Sequence, residues 1–153
     1  LTETNAVSST EDKKMVTKYI YGNPVETYAV VEEVPLGETP AHVFLETGNS
    51  LTFTHSLGSE DIVYGLGETM RGINKRGHRY ISFNYDDPYH KDEMPSMYGS
   101  HNFIVVDGET AFGAFFDTPA KVVFDVDSKK NGQLTVTCTS PDLRLYLVEG
   151  EGP

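Results

Sequence analysis

The residues best suited to chemistry fall in one stretch, Asp86-Asp87-Pro88 followed by His90-Lys91-Asp92-Glu93. Paired carboxylates can cleave glycosidic bonds, but they must face each other across the bond, roughly 5 Å apart for retention and several Å more for inversion. Neighbouring residues of an extended chain point to opposite sides, so Asp86 and Asp87 are poorly arranged as such a pair. One of them could instead reach into a cleft and accept hydrogen bonds from sugar hydroxyls while the other caps a turn before Pro88. The oxygen-rich set Asp86, Asp87, His90, Asp92 and Glu93 would suit a hard cation. Its spacing matches no EF-hand loop, however, and a zinc site would want more nitrogen or sulfur. No metal and no cofactor are expected.

Other reactive types read as structural. Gly65-Leu66-Gly67 lacks the third glycine, following helix and βαβ setting of a dinucleotide site, so a tight turn or bulge is expected. His55 and His101 lie in or beside predicted strands, where a packing role outweighs a catalytic one. The single cysteine, Cys138, shares an alternating apolar face with Leu134 and Val136 and reads as a small buried hydrophobe.

Period-two alternation positions these groups, and no stretch keeps a helical period over three turns. Strands are predicted at Thr27–Val31, His42–Glu46, Ser50–His55, Ile62–Tyr64, Tyr80–Phe83, Asn102–Val106, Phe112–Phe116, Lys121–Val126, Gln133–Thr139 and Leu143–Val148. Asp107-Gly108 and Asn131-Gly132 suit two-residue type I′ hairpins, which need positive φ at both central positions. Thr118-Pro119 breaks another strand pair. Many short antiparallel strands predict an all-β sandwich. Residues 1–18 read as a flexible or cloning-derived leader, and residues 19–153 as the sandwich domain. Both ends of the chain look cut. The stretch of about 65–98 departs from the hairpin rhythm, with a basic cluster (Arg71, Lys75, Arg76, Arg79) and dense aromatics (Tyr80, Phe83, Tyr85, Tyr89, Tyr98). Its length and composition predict an ordered, functional excursion.

The 153 residues suffice for one domain, and 38 % hydrophobic content argues against disorder. Twelve basic against 23 acidic residues give a net charge of −11, which disfavours nucleic acid and anionic membranes as partners. A neutral, polar ligand such as a sugar is compatible with this charge. No apolar run has transmembrane length and no signal segment opens the chain, which with the single thiol suits a cytoplasmic setting.

The order of several short pieces resembles glycoside hydrolase family 31. They are Tyr64-Gly65-Leu66-Gly67-Glu68, Asn74-Lys75-Arg76-Gly77, Phe83-Asn84-Tyr85-Asp86-Asp87-Pro88, Met97-Tyr98-Gly99-Ser100-His101-Asn102-Phe103-Ile104, and Phe112-Gly113-Ala114-Phe115-Phe116-Asp117-Thr118-Pro119 with Val123-Phe124-Asp125-Val126. The pattern is most similar to bacterial α-glucosidases of the human-gut type. The resemblance implies a galactose-mutarotase-like β-sandwich preceding a (β/α)₈ barrel. In that family two barrel aspartates carry a retaining mechanism, the nucleophile within a Trp-x-Asp-Met-Asn-Glu stretch. This chain has no Trp and no such stretch, so no catalytic residue is assigned in it. The family's sandwich sends a loop over the barrel mouth, and its Phe-Asn-x-Asp aspartate touches the substrate. By position that residue is Asp86, with Asp87 and Tyr85 as further substrate-binding candidates. Asn102 departs from the family, which often has Pro there.

The implied function is an accessory domain of an α-glucosidase acting on α-linked gluco-oligosaccharides, partnered by its own C-terminal barrel. A homo-oligomer stays open. So do two other readings: a stand-alone carbohydrate-binding module using Tyr85 and Tyr89, and a structural or subunit-contact domain.

Overall fold

Leu134, Val136 and Cys138 alternate with Thr135 and Thr137, and the three apolar members are fully buried. The same rhythm recurs along the chain because each strand has one face toward a core and one toward solvent. The computed structural model describes residues 15–24 and 44–150. Within them the strands are β1 (Met15–Tyr21), β2 (Phe44–Thr47), β3 (Leu51–Ser56), β4 (Ile62–Gly67), β5 (His78–Ser82), β6 (Ser100–Asp107), β7 (Phe112–Asp117), β8 (Val122–Val126), β9 (Gln133–Cys138) and β10 (Leu143–Glu149). None of the described residues is helical. Two five-stranded sheets result, ordered β1-β10-β7-β6-β4 and β2-β3-β9-β8-β5. All paired neighbours are antiparallel.

The inner faces meet in one aromatic and aliphatic core. Phe116 from the first sheet packs edge-on against Phe53 and Phe124 of the second, at centroid distances of 5.2 and 5.7 Å. Ile104, Val106, Leu143 and Leu145 are among the first sheet's other contributions, and Val122, Val126 and Leu51 among the second's. Each such side chain stabilises the sandwich by roughly 1.5–3 kcal/mol relative to exposure. Cys138 lies in this core, where burial pushes its thiol up to about 12.

Several expectations need adjustment. The first strand begins at Met15, inside the segment assigned to the leader, and pairs with β10 from Met15↔Glu149 to Tyr21↔Leu143. The strand expected at Thr27–Val31 lies outside the described residues. Both predicted hairpins exist, yet neither is a two-residue type I′ turn. The β6–β7 hairpin closes at Val106↔Phe112, and neither Asp107 nor Gly108 has positive φ. Gly108 is crowded instead: a Cβ there would meet the Asp61 carboxylate, which would have to turn away. The β8–β9 connection runs from Asp127 to Gly132, with positive φ at Asp127, Lys130 and Gly132 but not at Asn131. Thr118-Pro119 marks a crossing between sheets, since β7 and β8 belong to different ones. Gly65-Leu66-Gly67 forms a bulge at the end of β4, where the register to β6 shifts.

Candidate functional site

The excursion between β4 and β6 is divided by β5 into two loops, 68–77 and 83–99. The first is pinned by its basic residues. Arg71, held at φ 73°, donates from Nε to the Asp92 carbonyl at 2.8 Å, and from its two terminal nitrogens to the carbonyls of Arg79 at 3.2 Å and Glu93 at 2.5 Å. Its guanidinium also lies 5.6 Å from the centre of the buried Tyr80 ring. Lys75 is buried nearby, and its amine donates to the Thr69 hydroxyl and the Gly72 carbonyl, each at 2.6 Å. Desolvation lowers the Lys75 pKa below its usual 10.5. Arg76 reaches the other way. Its Nε meets Asp127 Oδ2 at 2.8 Å, and its Nη1 donates to the carbonyls of Gly58, Ser59 and Asp61 at 2.6, 3.2 and 3.1 Å. Burial would raise the Asp127 pKa, but the bond from Arg76 and backbone N–H donors from Gly132 and Asn131 outweigh it, so the carboxyl titrates below its usual 3.8.

Arg71, Lys75 and Arg76 of the basic cluster are therefore struts, while the Arg79 side chain is exposed. Backbone donors finish the task. Lys75 N–H bonds the Val63 carbonyl of β4 at 2.8 Å, and Ile81 N–H of β5 bonds the Pro95 carbonyl at 2.7 Å.

The second loop carries the predicted contacts. Its base is closed by Tyr85 N–H to the Met97 carbonyl at 3.1 Å, by Ser100 N–H to Asn84 Oδ1 at 3.0 Å, and by the Ser96 hydroxyl on the Phe83 carbonyl. Met97 anchors this base in the interior. Asp87 Oδ1 accepts the Tyr89 N–H at 2.9 Å, closing an Asx turn around Pro88. That is the capping role anticipated for one member of the pair. Asp86 is exposed, as are Tyr85, Tyr89 and Phe83. The Tyr98 hydroxyl donates to the Asp87 carbonyl at 2.9 Å, and its ring meets His90 edge-on at 5.4 Å.

Beside the loop base, a cleft of about 660 Å³ opens along Asn84, His101, Asn102, Phe103, Phe115 and Thr118. Asn102 Nδ2 donates to the Thr118 carbonyl at 3.3 Å. His55 packs in the core, edge-on to Phe112 at 4.8 Å, while His101 is exposed on β6.

The oxygen-rich cluster of the sequence does not converge. Asp92 and Glu93 engage Arg71 through their backbone carbonyls, and Asp87 is engaged in its own turn. Among the described residues no three of His, Cys, Asp and Glu are grouped to hold a metal. The loop thus offers exposed carboxylates at Asp86, Asp92 and Glu93, of which Asp86 stands in the sequence among the exposed rings of Phe83, Tyr85 and Tyr89. That suits hydrogen bonding to a polyol and does not by itself cleave a bond. Two residues escaped the sequence reading in their actual roles. Arg71 appeared only as part of a basic cluster, because its partners are backbone carbonyls that carry no sequence signal. Tyr98 appeared as one of the loop's aromatics and within a motif, and its partner too is a backbone carbonyl, that of Asp87.

Comparison with known proteins agrees with this architecture. Residues 5–125 match the profile of the Glycosyl hydrolase 31 N-terminal galactose mutarotase-like domain. An α-glucosidase of Saccharolobus solfataricus is 26 % identical over 145 residues, covering 91 % of this chain and 21 % of that protein. Among solved structures, a Flavobacterium johnsoniae GH31 dextranase complexed with isomaltotriose superposes with TM-score 0.62 at 23 % identity, covering 74 % of this chain and 14 % of that one. The cycloalternan-forming enzyme of Listeria monocytogenes superposes with TM-score 0.58 at 18 % identity, covering 72 % and 10 % respectively. The chain therefore spans about a fifth or less of the length of these relatives. The two-sheet architecture and the match across most of the chain agree: this chain belongs to the glycosyl hydrolase 31 N-terminal galactose mutarotase-like domain family.

Proposed function

We propose that this domain is the accessory N-terminal part of an α-glucosidase-like retaining glycoside hydrolase, and that Asp86 contacts an α-linked gluco-oligosaccharide. The catalytic carboxylates then belong to a (β/α)₈ barrel outside this chain. The observation that carries the reading is the division of labour in Asp86-Asp87: the Asp87 side chain closes an Asx turn, while Asp86 is exposed together with the neighbouring Tyr85 and Phe83. An ionised carboxylate accepting from sugar hydroxyls contributes about 1.5–3 kcal/mol per bond. Supplied from a second domain, that energy orients the sugar and favours the linkage that lets both domains engage it.

Asp86→Ala in the complete enzyme is expected to lower kcat/KM by about ten- to a hundredfold on maltose or isomaltose, with the fold intact. Unchanged kinetics on both would sink the reading. So would clear turnover of a chromogenic α-glucoside by the purified 153-residue chain. A second reading, a self-sufficient sugar-binding module, is favoured by the exposure of Tyr85 (57 %) and Tyr89 (78 %). Calorimetric titration of the chain with maltose and isomaltose separates the two, since an accessory domain without its barrel should give little or no heat.

A further inference from the structure

We propose that the outer face of the first sheet, centred on Phe103, Phe115 and Tyr146, is where the part of the protein's own polypeptide beyond this domain docks. The proposal rests on the reading above that the catalytic part lies outside this chain.

The two sheets differ in their outer faces. On the second, one row across β3, β9, β8 and β5 is Thr54, Thr135, Asp125 and Arg79, and beside it stand Thr52, Thr137, Val123 and Ile81. That is the mostly polar face an antiparallel sheet turns to water. On the first, the row across β1, β10, β7 and β6 is Lys18, Tyr146, Phe115 and Phe103. The next row is Val16, Val148, Gly113, Val105 and, on β4, Tyr64. In a chain with 23 acidic residues, these two rows hold none. Phe103 and Phe115 are 37 % and 39 % exposed. An apolar face five strands wide, roughly 20 Å, marks a surface that meets another body.

The rings are set in advance. Phe115 stacks on Tyr146 at 5.9 Å and 29°. Phe103 lies over Gly113, where an added Cβ would stand only 3.2 and 3.3 Å from its ring carbons Cζ and Cε2. Rings already held lose little further freedom on docking, and aromatic side chains are enriched at interfaces.

Length, charge and position identify the occupant. This chain covers 21 % of the α-glucosidase and 14 % of the dextranase described above, so most of each of those polypeptides lies beyond the matched segment. A tethered segment meets the face at an effective concentration of about millimolar, well above that of a free partner. A second copy is disfavoured, because each copy brings a net charge of −11. The cleft of about 660 Å³ joins Phe103 and Phe115 to Phe83 and Asn84, at the root of the loop that carries Asp86. One body can therefore cover the face and receive the loop.

Hydroxyl-radical footprinting of the complete wild-type protein, with oxidation of each ring read by mass spectrometry, is the test. Phe53 and Phe124, fully buried, are the references. Phe103 and Phe115 are expected to oxidise as slowly as these two. Rates several-fold above the references would overturn the proposal. Protection lost on dilution to the monomer would put a second copy on the face and overturn the assignment to the protein's own chain. Asp86→Ala kinetics report separately. If they are unchanged while both rings are protected, the sugar contact falls and the docking face stands. If kcat/KM drops while both rings oxidise freely, the docking face alone falls.

Discussion

Arg76→Ala tests how the excursion is fastened to the sandwich. Arg76 and Asp127 are 51 positions apart, with side chains 20 % and 8 % exposed. Breaking a buried pair by removing one partner costs about 3–5 kcal/mol, whereas a surface pair is worth about 0–1. This pair lies nearer the buried limit, but Asp127 would retain the Gly132 N–H at 2.7 Å. Water can replace Arg76 at the carbonyls of Gly58, Ser59 and Asp61, so they add little. The expected loss is about 3 kcal/mol, or roughly 6–12 °C in unfolding midpoint. Asp127→Asn in the Arg76→Ala background should recover about 1 kcal/mol, because it removes a charge left without its partner.

The pH dependence has a definite sign. The folded-state pKa of Asp127 lies below its usual 3.8, so the bonds that depress it stabilise fully above that value. Their contribution fades as pH falls through the lower, folded value. The difference between wild type and Arg76→Ala should therefore be complete near neutrality and shrink in acid. Urea unfolding followed by circular dichroism, at neutral and acidic pH, measures it. A neutral-pH loss under about 0.5 kcal/mol, or strict additivity with Asp127→Asn, would refute the strut.

Two other outcomes can be checked on the same chain. Gly65→Ala combines φ 115° with a Cβ that would strike the Phe103 carbonyl, so a loss of about 3 kcal/mol in urea unfolding is expected. Cys138, fully buried with its thiol pushed up to about 12, should resist a disulfide-exchange reagent at pH 8 and react completely in denaturant.

The legibility of the fold follows from burial. Strands β3, β8 and β9 each alternate one buried with one less buried position, so period two revealed them from side-chain types alone. In β1 the signal fails because apolar residues occupy both faces. Tyr19 and Tyr21 pack against the core, while Ile20 points outward, opposite Arg144, and is 44 % exposed. Turn geometry misled for a different reason. Asp107-Gly108 has the composition of a tight turn, yet Gly108 answers to the carboxylate of Asp61, a neighbour contributed by another loop. For the loop, ordered motifs pointed to Asp86, and the physics of adjacent residues anticipated that one aspartate would cap a turn. The fastening was not legible, since Arg71 grips carbonyls and Arg76 reaches an aspartate on a distant hairpin.

The backbone bonds of the excursion to β4 and β5 carry a consequence for how such a domain can diversify. Among the described residues both are outermost strands of their sheets, and open outermost strands invite pairing with foreign chains. Loop 68–77 covers β4 through Lys75, and the returning arm at Pro95 covers β5. The excursion that carries Asp86 therefore also occupies part of two sheet margins. Shortening it, or grafting a loop of another length, would remove that cover along with the proposed ligand contact. Substitution at the tip, around Tyr85, Asp86 and Tyr89, leaves that cover in place, so the proposed sugar contact can be varied there without opening either margin.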